Sequence, residues 1–150
     1  QFINTPYSHS AGSFVTFDQK SGILFTSDIF GSYGSEWELF LKLGPECIDC
    51  IDLSRCPEDR ENCPIKDILN FHKTIMPSGK ALKYALKKIL EIPFTAIAPQ
   101  HGSIISDRDI LRYVFELLIS QRKIGIDRIV EDENTLHFSN LRERFEKDEN

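Results

Sequence analysis

The sequence predicts an α/β fold, and three observations support this class. Residues 14–17 and 23–26 are short runs rich in β-branched and aromatic side chains, and a polar, glycine-containing turn separates them, which indicates a β-hairpin. Residues 78–90 show apolar side chains at helical spacing. The apolar strand expected at residues 94–98 directly follows that helix, which is typical of helices layered on a sheet.

Composition sets limits on the class of function. The chain has 150 residues, 41% hydrophobic and 27% charged, as in an ordinary soluble globular domain. Its net charge of −5 argues against a nucleic-acid-binding surface, which would need a basic stripe. No apolar run approaches the ~18–20 residues that span a bilayer, and no charged-then-apolar leader opens the chain. We therefore expect a cytoplasmic protein that binds neither nucleic acid nor membranes.

The middle of the chain predicts one short helix and one long loop. Residues 35–43 have a possible N-cap at Ser35 and place Trp37, Phe40 and Leu41 on one helical face. Residues 44–64 have no clear periodicity and carry all four cysteines. A structureless loop of this length is uncommon unless it is functional or held together by a cross-link such as a bound metal or a disulfide.

Three further helices follow from apolar spacing and caps. Residues 65–75 are weakly helical and stop before Pro77, Ser78 caps the helix over residues 78–90, and residues 107–119 form the last. Beyond Gly125 the composition becomes charged, so residues 1–125 are expected to be one folded unit and 126–150 a charged extension or linker. The residues expected to face the core from the capped helix are Leu82, Ala85, Leu86, Ile89 and Leu90.

Three polar residues lie where strands begin or end. His9 precedes the first strand of the hairpin, Asp28 follows the second, and His101 follows the strand at 94–98. Side chains at such strand ends gather in one crevice of an α/β layer. Two imidazoles and a carboxylate suit zinc or non-haem iron, and a carboxylate can bridge two ions. Each residue alone also has an ordinary role, as a surface histidine or a turn-forming aspartate.

These segments resemble a known family. The His-Ser-Ala-Gly-Ser run at 9–13, the Leu-Phe-Thr-Ser-Asp-Ile-Phe run at 24–30 and the Ala-Pro-Gln-His-Gly run at 98–102 are similar to the second half of the metallo-β-lactamase fold. The 18 residues between His9 and Asp28 match the spacing of its diiron branch, the flavodiiron and related oxygen-binding proteins. The segment at 71–78 resembles the stretch before the long helix of those proteins.

The resemblance implies an αββα sandwich and a role for each residue. His9 would be a terminal ligand of one iron, Asp28 would bridge two irons, and His101 would be a terminal ligand of the other. The implied chemistry is binding of dioxygen or nitric oxide, with or without reduction. No flavin-phosphate loop is visible in the sequence, which favours an oxygen sensor for a signalling partner over a flavodiiron-type reductase supplied by an electron donor.

The sequence departs from the family pattern in one respect. The family's other ligands come from a His-x-Glu-x-Asp segment, and neither His72 nor His137 precedes such a segment here. Because Gln1-Phe2-Ile3 also reads as the middle of a strand, we expect these residues to be the C-terminal half of a larger domain. The missing N-terminal half would carry the remaining ligands, and a homodimer is also expected.

The other histidines and the cysteines leave alternatives open. His72 is expected to be an ordinary packed or surface histidine. The alternative is a supporting or proton-delivery role near the metal. His137 is expected at the surface. Four thiolates suit zinc or an iron–sulfur cluster, but a disulfide, a redox pair or inert thiols are alternatives. The cysteines in question form a Cys-x2-Cys-x5-Cys-x6-Cys pattern: Cys47, Cys50, Cys56 and Cys63.

Two other functions compete with the diiron interpretation. The first is a zinc-dependent hydrolase of the same fold, in which the metals activate water. The second is a metal-free regulatory module that retains the fold. Metal analysis and an absorption spectrum under air would separate the three.

Overall fold

A computed structural model describes residues 1–34, 38–48, 50 and 63–129. A four-stranded sheet forms its centre, with the strands in chain order: β1 (Phe2–Asn4), β2 (Phe14–Asp18), β3 (Ile23–Phe25) and β4 (Ala96–Ala98). The first three strands are antiparallel neighbours, whereas β4 runs parallel to β3. The expected hairpin and the later strand are therefore both present, in one mixed sheet.

Four α-helices of the described residues accompany the sheet. They are α1 (Pro45–Ile48), α2 (Pro64–Ile75), α3 (Gly79–Leu90) and α4 (Arg108–Ser120). The α4 helix contacts the other three. The parallel pairing of β3 with β4 requires a long crossover, and α2 and α3 lie within it, as expected for parallel strands.

Two of the helix caps follow the sequence prediction. The Ser78 hydroxyl accepts a hydrogen bond from the Ala81 N–H at 3.2 Å, which satisfies one of the unpaired donors at the start of α3. The end of α2 also agrees with the prediction, since the residue before Pro77 is extended, as a residue before proline prefers to be.

One hydrophobic core joins the sheet to the helices. It includes Val15, Phe17 and Leu24 from the sheet, together with most of the apolar residues predicted for α3. Leu90 is the exception, because it is 57% exposed at the end of that helix. On the opposite face of the sheet, alternate side chains remain exposed: Phe2, Phe14 and Phe25.

The helix expected over residues 35–43 is not formed in its described part. Residues 35–37, including Ser35 and Trp37, lie outside the described residues, and residues 38–43 are irregular apart from an isolated bridge between Phe40 and Ile104. There the Leu41 N–H donates to the Ile104 carbonyl at 2.8 Å, and the Ile104 N–H donates to the Leu39 carbonyl at 2.8 Å. Pairing with a distant segment supplies the hydrogen bonds that a helix would otherwise make, so tertiary contacts override the local pattern.

The segment after α4 folds back onto the start of α3. Gly125 has a φ of 54°, and an added Cβ there would lie 2.1 Å from the Met76 carbonyl oxygen. The Asp127 carboxylate accepts a hydrogen bond from the Gly79 N–H at 2.7 Å. The described residues after Gly125 therefore pack against the start of α3, and the boundary expected at residue 125 stays a prediction. Within the described residues, no helix has the length and apolar character to cross a membrane.

Candidate metal centre

Strand pairing brings the three candidate ligands to one edge of the sheet. Because β3 and β4 are parallel, with Phe25 opposite Ala98, the residues that follow them emerge side by side. These residues include Asp28 and His101. The β2 strand is antiparallel to β3, so its beginning, which His9 precedes, lies at the same edge.

The side chains meet at the Asp28 carboxylate. Its Oδ1 atom lies 2.9 Å from His101 Nδ1, and its Oδ2 atom lies 3.3 Å from His9 Nδ1. The Asp28 side chain is 11% exposed, whereas the His9 and His101 side chains are 52% and 56% exposed. The centre is therefore a nearly buried carboxylate with one open imidazole on each oxygen. The three residues predicted from the sequence lie within direct reach of one another.

Each of the three loops includes backbone in the left-handed region. The φ angles are 60° at Tyr7, 51° at Ser27, 70° at Phe30 and 105° at Gly102. Three of these residues are not glycine, and a non-glycine residue in this region costs on the order of 1–3 kcal/mol. Such conformations persist only where surrounding contacts hold them, and they concentrate at functional sites.

Local hydrogen bonds hold the turn that contains Asp28. The Thr26 hydroxyl, which is fully buried, donates to the Ile29 carbonyl at 2.6 Å, and the Ile29 N–H donates back to the Thr26 carbonyl at 3.1 Å. The Gly31 N–H donates to the Asp28 carbonyl at 3.0 Å. The sequence places Asp28 after a strand, but the part played by Thr26 was not predicted from it, although a threonine directly before Ser-Asp at a strand end is a local turn signal.

Two backbone hydrogen bonds join the Asp28 turn to the His101 loop. The Gln100 N–H donates to the Ser27 carbonyl at 2.8 Å, and the Ser32 N–H donates to the His101 carbonyl at 3.1 Å. An added Cβ on Gly102 would approach the Ser32 side chain to 3.1 Å, so the two loops are in close contact. The distance between Asp28 and His101 is thus set by backbone as well as by side chains.

His72 is a buried neighbour of this turn. Its side chain is fully buried, its Nε2 accepts a hydrogen bond from the Phe30 N–H at 2.9 Å, and its Nδ1 donates to the Ile68 carbonyl at 2.7 Å. Desolvation by burial lowers the pKa of His72 to about 4, against smaller raising effects of the Ile68 carbonyl and the Asp28 charge. The imidazole is therefore neutral at physiological pH, and both ring nitrogens are used.

The donors at this centre fit iron or zinc by type and proximity. Imidazole nitrogen and carboxylate oxygen are ligands of both metals, and a carboxylate with an imidazole beside each oxygen suits a pair of cations. Within the described ranges, however, no group of three or more His, Cys, Asp or Glu side chains has the arrangement of a metal site. His101 is hydrogen-bonded to the Asp28 carboxylate, and the His9 imidazole lies 3.3 Å from its other oxygen.

The described cysteines lie around α1 and before α2. Cys47 belongs to α1, Cys50 lies just beyond it, and Cys63 is buried directly before α2. Cys56 lies outside the described residues, as does His137. The metal or cluster predicted for the four cysteines therefore stays a prediction.

The mixed sheet with helices packed on it, and the His–Asp–His cluster at its edge, define an α/β domain of the metallo-β-lactamase type. Residues 1–102 match the family model described as "ODP family beta lactamase". The chain therefore belongs to this family. No curated protein sequence matches the chain.

Solved structures agree with this assignment. A structure described as a peroxy diiron species of the chemotaxis sensor ODP is 26% identical, with a TM-score of 0.65 over 85% of this chain and 47% of that one. The apo state of the chemotaxis sensor ODP from T. denticola is 24% identical, with a TM-score of 0.62 over 93% of this chain and 47% of that one. This chain thus spans about half the length of these two structures.

The flavodiiron core of Flv1 from Synechocystis shares the fold. It is 22% identical, with a TM-score of 0.58 over 81% of this chain and 27% of that one. The expected fold class, an α/β domain of the metallo-β-lactamase type related to the diiron branch, is confirmed.

Proposed function

We propose that this chain contributes three ligands to a non-haem diiron centre that binds dioxygen or nitric oxide and acts as an oxygen sensor for a signalling partner. The observation that supports this function is the Asp28 carboxylate, whose two oxygens each face one histidine, His101 on one side and His9 on the other. A carboxylate can bridge two cations by giving one oxygen to each, and the divided arrangement of Asp28 suits this mode.

Each residue has a distinct role in the proposal. His9 would bind one iron, His101 would bind the other, and Asp28 would bridge them. Two ferrous ions would supply the electrons with which dioxygen or nitric oxide is bound or reduced. The remaining ligands would come from an N-terminal half of the domain, because a diiron centre needs more than three protein ligands.

The surroundings of the three residues support a centre with access from outside. Asp28 brings one negative charge into a nearly buried position, where it would offset part of the charge of the cations. The two half-exposed imidazoles leave the outer side accessible. A groove of about 540 Å³ passes beside His9 and includes Ser13 and Gln100 in its lining, so open space adjoins this imidazole.

The test begins with the full protein purified without oxygen. The proposal expects about two irons per chain and a near-ultraviolet absorption band that develops on exposure to air. Bound zinc without this band would support a hydrolase instead, and a protein that binds neither metal would be a metal-free module. A sensor would consume no more than a stoichiometric amount of dioxygen, whereas a reductase would turn over repeatedly with an added reductant.

A further inference from the structure

Two adjacent residues of α2 contact different loops of the candidate metal centre. His72 accepts the Phe30 N–H at 2.9 Å, and Phe30 lies two positions after Asp28. The Phe71 ring lies with its centroid 6.1 Å from that of His101. One turn of α2 therefore reaches both the loop that carries the carboxylate and the loop that carries one imidazole.

Phe71 also fills the space beside the Asp28 turn. An added Cβ on Gly31 would lie 2.6 Å from Phe71 Cε1, so only glycine allows the backbone to approach the ring this closely. The ring of Tyr33 packs edge-on against Phe71, with centroids 4.8 Å apart. Phe71 itself is 4% exposed. The turn is thus packed against α2 through the ring of Phe71 and bonded to it through His72.

We propose that Phe71 and His72 are positioning residues that hold Asp28 and His101 at the separation the metal centre requires. This inference rests on the proposed function and adds to it the element that sets the ligand geometry. Neither residue touches the reacting atoms. Both act on the loops that carry the ligands: His72 through its hydrogen bond to Phe30, and Phe71 through its packing against Gly31 and His101.

The hydrogen bond between His72 and the Phe30 N–H explains why loss of His72 would displace the Asp28 turn. Phe30 is 1% exposed and has left-handed backbone, so its N–H cannot find water and depends on the His72 nitrogen. Without an acceptor the buried N–H would be unsatisfied, and the turn would relax to find another partner. Groups that orient metal ligands in this way typically change metal affinity by about 10–100-fold when they are removed.

Three variants of the full protein separate positioning from general core packing. His72→Leu removes the acceptor and fills the same space with an apolar side chain. His72→Gln supplies a side-chain oxygen that can accept from the Phe30 N–H. Ile89→Val is the control, because Ile89 is fully buried in α3. Ferrous iron affinity is measured by anaerobic titration for each variant and for the wild type.

The expected result is a loss of about 10–100-fold in iron affinity for His72→Leu. His72→Gln should recover most of the affinity, and Ile89→Val should match the wild type. An unchanged affinity in His72→Leu would overturn the proposal. An equal loss in Ile89→Val would overturn it too, since the effect would then reflect core packing in general.

Amide hydrogen exchange tests the positioning without any metal. His72→Leu should lose protection at the Phe30 N–H and also at the Ser32 N–H, which bonds the His101 carbonyl. His72→Gln should restore both. Protection that is lost at Phe30 alone would show that the effect does not reach His101 and would contradict the proposal. A wild type that binds no iron would contradict the proposed function, while the exchange result would still decide the positioning role.

Discussion

Asp28 Oδ1 lies 2.9 Å from His101 Nδ1, although 73 positions separate the two residues in the chain. The parallel pairing of β3 with β4 causes this contact, because it places the ends of two distant strands next to each other. The second oxygen of the same carboxylate faces His9 at 3.3 Å. A single aspartate therefore connects three loops.

Asp28→Asn should abolish most iron binding in the full protein. The amide keeps the shape of the carboxylate but lacks its charge and one acceptor oxygen, so it cannot offset or bridge two cations. We expect iron content to fall by at least about tenfold, as removal of a bridging ligand should cost more than loss of a supporting group. Elemental analysis of protein purified without oxygen measures it.

Asp18→Asn is the matched control for this experiment. Asp18 ends β2 and accepts hydrogen bonds from the Ser21 hydroxyl at 2.6 Å and from the Lys20 N–H at 3.2 Å. These contacts lower the pKa of Asp18 but involve none of the candidate ligands. Its iron content should equal that of the wild type. If Asp28→Asn retained full iron content, the bridging role would be wrong.

Gly102→Ala should destabilise the protein and weaken its iron binding. Gly102 has a φ of 105°, and its added Cβ would press on Ser32 at 3.1 Å. The left-handed backbone alone costs roughly 1–2 kcal/mol with an L side chain. Chemical denaturation should show this loss of unfolding free energy, and the affinity for ferrous iron should fall because His101 is the adjacent residue.

Gly12→Ala provides the comparison in the His9 loop. An added Cβ there meets nothing within 4 Å. Its unfolding free energy should stay level or rise by about 0.4–1 kcal/mol, because alanine restricts the unfolded chain. Equal losses in the two variants would mean that the close contact at Gly102 has no special effect.

Acid should destabilise the protein in part through His72. Burial lowers the folded-state pKa of His72 to about 4, below the ordinary 6.5, so the unfolded chain takes up a proton that the folded chain refuses. The stability is complete above about pH 6.5 and is lost progressively as the pH falls toward about 4. Between about pH 7 and pH 5 we expect a loss on the order of 2 kcal/mol.

The pH effect is isolated by comparison with His72→Gln, which cannot titrate. Urea unfolding of both proteins at several pH values gives their slopes against pH, and groups other than His72 contribute to both. The wild type should lose more unfolding free energy than the variant over this range. Parallel slopes would show that His72 takes up its proton in the folded state as readily as in the unfolded chain.

Asp107→Ala should lower the unfolding free energy by about 1 kcal/mol. The Asp107 carboxylate accepts hydrogen bonds from the Asp109 N–H at 2.9 Å and the Ile110 N–H at 3.0 Å, both at the start of α4. Asp109→Ala is the control, because among the described residues the Asp109 carboxylate has no hydrogen bond or ion pair and acts through the helix dipole. Its loss should cost a few tenths of a kcal/mol. A larger loss in Asp109→Ala, measured by thermal or chemical unfolding, would contradict the assignment of the cap.

Local patterns predicted the elements whose cause is local. The apolar spacing of α3 and its Ser78 cap lie within one stretch of the chain, and both agree with the structure. The hairpin of β2 and β3 was predicted for the same reason. The prediction of a helix over 35–43 was wrong in the described part, because Leu41 is hydrogen-bonded to Ile104. A partner so distant in the chain cannot be predicted from local apolar spacing.

The sequence by itself determined the chemical types of the candidate ligands and their place at strand ends: His9, Asp28 and His101. Only the tertiary structure decided that each oxygen of Asp28 faces a different histidine, because this arrangement depends on the order and direction of the strands. The tertiary structure also decided the place of His72, because the sequence did not show whether this histidine is buried or exposed. Its hydrogen bond to Phe30 joins residues 42 positions apart and arises only when α2 packs beside the turn.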